Sequence, residues 1–138
     1  MPPMRPQVPL AAFFLAGGAL HFLRPAMYEA IVPHSLPAKR GLVYASGAAE
    51  LAGAAGVLHP RTRRAAGWWL IATLVAIFPA NVHMAVNAER YRTIPEPLLW
   101  LRLPLQALLV LWAWRVAVKP GQAGAGTTAT SPRCAASA

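Results

Sequence analysis

Seven polar residues set in otherwise apolar stretches carry what chemistry this sequence can do: His21, Glu50, Asn81, His83, Asn87, Arg102 and Gln106. Glu50 comes first, because the stretch YASGAAELAGAAGVL, Tyr44 to Leu58, is small and apolar apart from that carboxylate and holds no basic residue. A charge at the centre of a bilayer-length helix costs roughly 2.5–3.5 kcal/mol on insertion scales, so Glu50 is expected to be protonated, paired or turned to a polar cavity between helices. His83 and Asn87 stand four residues apart, as do Arg102 and Gln106, so each pair shares one helix face. Histidine, glutamine or arginine could hydrogen-bond the carbonyl of an apolar ligand such as a quinone, while Glu50 carries the proton that accompanies its reduction.

Each residue also has a plainer use. Glu50 and Arg102 would serve as a structural ion pair, His21 or His83 as an interface hydrogen-bonding group, and Asn81, Asn87 and Gln106 as links between helices. Asn81, two residues past Pro79, would also repair a kink there. The collection favours a ligand, since five or more such groups at similar depth exceed what holding four helices together requires. A metal or haem centre needs paired imidazoles, which His21 and His83 could supply, but His34 falls in a loop and His59 on the opposite face. The single cysteine, Cys134, allows no intrachain disulfide, CxxC pair or CxxCH haem attachment. The chain therefore has no built-in cofactor, and an electron carrier would have to come from a redox partner protein.

These residues need helices to position them. Of 138 residues 57% are apolar and only 12% charged, where a soluble domain has roughly a quarter charged. The formal charge of +9 comes from thirteen basic residues spread between apolar blocks, without the dense run that nucleic acid would require, so the partner is the lipid bilayer. The fold class expected is all-α: an integral membrane four-helix bundle with spans at 8–23, 42–58, 65–87 and 97–118. A short interfacial helix, AMYEAIV, follows span one in a loop broken by Pro25, Pro33 and Pro37. The first stretch also fits a signal peptide, with its early Arg5 and small residues at Ala16 to Gly18, but it runs on through His21 to Phe22 and Leu23. Residues 1–118 form the transmembrane domain, and 119–138, rich in Gly, Ala, Ser and Thr, a disordered tail.

Arg5, Arg61, Arg63, Arg64, Arg115, Lys119 and Arg133 fall with the termini, against Arg24, Lys39, Arg40, Arg90 and Arg92 opposite, which puts both termini in the cytoplasm of an inner (plasma) membrane protein. At about 1.5 Å per residue, Glu50 then lies roughly 12 Å below the outer edge and Arg102 about 7 Å, with His21 and His83 nearer still. The inner halves of the spans are apolar, which argues for a blind pocket in the outer half rather than a channel. Pro79 and Pro104 should kink their helices and free the carbonyls of Val75 and Trp100. Ala45, Ala49 and Gly53, repeating every four residues, should let a neighbouring helix approach span two.

The segments GALHFLRPAMYEAIVPHSLP, YASGAAELAGAAGVLHPRTRRAAGW, FPANVHMAVN and LLWLRLPLQALLVLWAW, in that order, resemble the DoxX-like family of four-helix membrane proteins over about Gly18 to Arg115. The resemblance implies a four-helix bundle in a family that includes the small membrane subunit of an archaeal thiosulfate:quinone oxidoreductase and relatives of methylamine-utilisation membrane proteins. The positions matching its pattern are His21, Glu50, Asn81, Arg102 and Gln106, to which no catalytic role attaches. Together these readings point to a membrane subunit or anchor that binds a quinone-like molecule beside a redox partner, at most a quinone-binding subunit of an oxidoreductase, with a homo-oligomer compatible. The alternative is a structural or assembly protein whose polar cluster only fixes helix packing. The expected topology is tested by fusing alkaline phosphatase at Lys119: an inactive fusion agrees with cytoplasmic termini, and an active one reverses the orientation.

Overall fold

In the computed structural model, which describes residues 5–92 and 94–119, every regular element is helical. Helix α1 spans Gln7–Leu23, a short α2 Pro25–Glu29, α3 Lys39–Leu58, α4 Arg63–Val86 and α5 Glu96–Ala113. A 3-10 turn, Ala88–Arg90, follows α4, and α5 widens into a π-helical turn at Trp114–Val118. Three helical stretches, Lys39–Leu58, Arg63–Val86 and Glu96–Val118, are long and apolar enough to cross a membrane, while α1 is shorter at 17 residues. The breaks follow the prolines: Pro25 opens α2, Pro33 and Pro37 separate it from α3, Pro60 sits in the α3–α4 turn and Pro95 precedes α5. The tail from residue 120 on, with Cys134, lies outside the described residues.

The helices pack in sequence, α1 along α3, α3 along α4 and α4 along α5, and the terminal turn reaches back to α4 and α1. Glycines set the closest approach. A Cβ on Gly18 would stand 2.9 Å from the Gly47 carbonyl oxygen, and one on Gly47 would stand 2.6 Å from the Cβ of His21. Farther down, Gly53 and Gly56 make room for Leu70 and Ala66 of α4, and Gly67 for Ala117. The four-residue stripe read from the sequence is therefore only partly the contact face: Gly53 is buried, but Ala45 points outward. The face used runs through Gly47, Glu50, Ala54 and Val57, spaced by three and four as a helix facing a neighbour on one side demands.

Two apolar clusters result. The first gathers Leu10 and Phe14 of α1, Ala54 and Val57 of α3, Leu70 and Leu74 of α4, and Ala113 and Ala117 at the end of the chain. The second lies at the other end, around Met84, Ala85, Tyr91 and Leu99, with Ile31 and Leu103 against it. At the first end the α3–α4 turn closes tightly: the Thr62 hydroxyl donates to the Gly56 carbonyl at 2.7 Å and Arg63 Nε to that of Val57 at 3.1 Å, occupying acceptors that the end of α3 leaves open.

The exterior is apolar. Trp68, Trp69, Leu101 and Leu108 are each more than half exposed, whereas Gln7, His21, Glu50 and Gln106 are buried. Helix α4 continues without a break through Pro79, as α5 does through Pro104, so neither proline ends its helix. Gly47→Ala should lower thermal stability in detergent by about 1–3 kcal/mol, because two of the three neighbours of the added methyl, the Gly18 carbonyl oxygen and the His21 Cβ, are fixed by the α1 backbone and cannot swing away as the Phe22 ring could. Wild-type stability in that variant would show that α1 and α3 do not approach there.

Candidate functional site

Between the two apolar clusters the helices enclose a cavity of about 400 Å³. Phe14 and Leu74 of the first cluster form part of its floor, and Ile31 of the second part of its roof. Its size falls in the usual range of small-molecule sites, ~300–1,000 Å³. Five of the seven residues singled out in the sequence line it: His21 from α1, Glu50 from α3, Asn81 from α4, and Arg102 and Gln106 from α5. Tyr28 of α2 and Ser46, one helical turn before Glu50, join them.

His83 and Asn87 do not. Asn87 Nδ2 donates back to the His83 carbonyl at 2.8 Å, and the His83 ring meets Tyr91 edge-on with Nδ1 3.4 Å from the tyrosine hydroxyl. Two residues separate Asn81 from His83, which turns a helix through about 200°, so the two cannot face one cavity. The paired imidazoles of a metal or haem reading are thereby parted, and among the described residues no group of three or more His, Cys, Asp or Glu side chains is placed to hold a metal ion.

The polar groups of the cavity divide into two kinds. Asn81 Nδ2 donates to Gln106 Oε1 at 2.7 Å, and Gln106 Nε2 donates in turn to the Leu74 carbonyl, tying α4 to α5. That carbonyl is one residue before the Val75 carbonyl expected to be free, so the amide does not serve the acceptor that Pro79 leaves open. His21 is half satisfied. Its Nδ1 donates to the Gly17 carbonyl at 2.9 Å, which in the neutral ring leaves Nε2 as an acceptor, and its face stacks on Tyr28 at 3.8 Å between centroids.

Glu50 and Arg102 are the second kind. Among the described residues neither has a hydrogen-bond or ion-pair partner, and the ion pair of this end of the molecule is instead Arg40 with Glu29, 2.5 Å apart, joining α3 to α2. The Glu50–Arg102 bridge expected from their depths is thus not made. Depth places two residues at one level without setting their lateral distance, and here α3 and α5 are not packed neighbours: α4 stands next to both. Glu50 Oε2 rests against α1 where residue 17 has no side chain, 3.0 Å from the point a Cβ would occupy. The Tyr28 hydroxyl senses both charges: burial raises its pKa first and the Glu50 carboxylate adds to that, while the Arg102 guanidinium opposes. It remains a protonated donor at neutral pH.

The cavity therefore offers a carboxyl, a guanidinium and a phenol hydroxyl not engaged with one another, set in walls of Phe13, Phe14, Leu74, Ile77 and Leu109. Tyr28 could not be assigned from the sequence, because its place depends on how the chain turns after α1; Ser46 could, from its four-residue spacing to Glu50.

Since neither charge has a partner in the protein, Glu50→Gln and Arg102→Gln should each leave thermal stability in detergent unchanged or higher, and the double variant should be additive within about 0.5 kcal/mol. A loss of several kcal/mol from either, partly restored in the double variant, would mean that the two do pair.

No curated protein and no solved structure matches this chain. A family model does, over residues 10–117, a stretch that takes in α1 through the terminal turn and every residue of the cavity. The chain belongs to the family described as domain of unknown function (DUF8561).

Proposed function

We propose that this is a four-helix integral membrane protein of the inner (plasma) membrane, with both termini cytoplasmic, that binds a quinone-like ligand in the cavity between its helices and works with a redox partner. The observation that carries the reading is a carboxyl group and a guanidinium that line one largely apolar cavity without a partner among the described residues. Buried charges are costly, and groups left without partners mark places where a ligand supplies them. An exterior of exposed tryptophan and leucine around buried glutamate and glutamine supports the membrane placement, because lipid rewards that arrangement and water opposes it. The resemblance of the same segments to DoxX-like proteins points the same way.

In this reading Arg102 and the Tyr28 hydroxyl donate hydrogen bonds to a quinone carbonyl oxygen, and Glu50 stands by as a proton carrier. Reduction to the quinol takes two electrons and two protons; the electrons come from the partner, and both protons come from water, relayed one at a time through Glu50, which is reprotonated between the two transfers to the carbonyl oxygens. Asn81 and Gln106 hold the α4–α5 wall in place. The alternative, a protein whose polar residues only fix packing, is favoured for those two by their closed chain of hydrogen bonds, but it leaves Glu50 and Arg102 without a use.

The test is mass spectrometry of lipid extracted from protein purified in mild detergent. Wild type should retain quinone above a control membrane protein, and Arg102→Gln should retain about tenfold less, the effect of losing roughly 1.4 kcal/mol of binding. No quinone in either sample would favour the packing-only reading.

A further inference from the structure

We infer that the ligand is a single-chain amphiphile that enters sideways from the bilayer between α1 and α5, with its polar head buried in the cavity and its hydrocarbon chain left in the lipid. The inference rests on the reading of the cavity as a ligand site and names the class of molecule that can reach it. Its first support is the distribution of exposure around the wall. The exposed lining residues are Phe13, Leu36, Leu42, Ala76 and Leu105, all apolar, while each polar lining residue is buried or half-buried. A cleft that takes ligands from water has polar groups at its lip. Here the order is reversed, and a free polar solute would cross an apolar rim before meeting any group that binds it.

The second support is which helix seam is left open. α1 is clamped to α3 by the Gly18–Gly47 approach, α3 to α4 by Gly53 and Leu70, and α4 to α5 by the Gln106 amide on Leu74. Between α1 and α5 no comparable clamp stands out among the described residues: the terminal turn reaches α1, and the Phe13 and Trp112 rings meet at 6.0 Å. Beside that contact Phe13 and Leu105, each 48% exposed, belong both to the cavity wall and to the outer surface, which marks them as the two sides of an opening. A chain lying there continues the apolar exterior, while Arg102 and Tyr28, which line the cavity, receive the head.

The experiment uses the full chain in lipid nanodiscs and two probes: a dimethoxy-methyl-benzoquinone without a chain and the same ring bearing a decyl chain. Retention above protein-free nanodiscs is measured by equilibrium dialysis at matched membrane concentration. Wild type should bind the decyl probe at least tenfold more tightly than the chainless one. Phe13→Trp and Leu105→Trp, which narrow the opening from either side, should each remove most of that advantage. The wild-type comparison decides alone, whatever the variants do to folding: equal affinity for the two probes overturns the side entry and leaves the ligand site standing. Failure of wild type to bind either probe overturns the quinone reading itself, and the inference with it.

Discussion

A carboxylate in a molecule with an apolar outside has to be given room inside, and the rest of this structure depends on how that is done. Glu50 lies on the face of α3 that packs against α1, and its oxygen rests where residue 17 has only a hydrogen. The glycines that bring α1 and α3 together, Gly18 and Gly47, flank this spot, so the closest contact between the helices and the accommodation of the charge are one device. Held there, Glu50 lines the space between the helices and makes no ion pair with Arg102 of α5. Any larger residue at the crossing would separate the helices and displace the carboxylate together.

The cavity has the same origin. Small residues let the two ends of the molecule close into apolar clusters, one built on Leu10, Leu70 and Ala113 and the other on Met84, Tyr91 and Leu99. The middle cannot close, because it contains groups that pack poorly against hydrocarbon. Asn81 and Gln106 satisfy each other and the α4 backbone, and so behave as structural residues. The opposed charges do not, and keeping them apart costs stability that a packed apolar core would avoid; such costs are typical of places where function is kept. Tyr28, which α2 contributes to the cavity lining and which stacks on His21, completes the donor set.

How much of this could be read from residues alone varies with the question. The helices follow from the apolar stretches and the prolines that interrupt them, since backbone groups in such segments have no other way to be satisfied. The convergence of His21, Glu50, Asn81, Arg102 and Gln106 follows from their common level in an up-and-down arrangement. Level is only one coordinate, however. It placed His83 and Asn87 with the others although a two-residue step from Asn81 turns the helix away, and it paired Glu50 with Arg102 although their helices are not packed neighbours. The spacing that would have corrected the first error was present; the neighbour relation that corrects the second required the fold. Tyr28 lay beyond reach because a short helix after a proline can leave in several directions.

The central claim is that Glu50 and Arg102 line one cavity without bonding to each other, and a crystal structure grown from a lipidic mesophase with the decyl-chain benzoquinone present measures this directly. The account predicts the two side chains more than 4 Å apart, with ring density between them and chain density leaving past Phe13 and Leu105. A cavity closed by a direct Glu50–Arg102 salt bridge, with no density between α1 and α5, would contradict it.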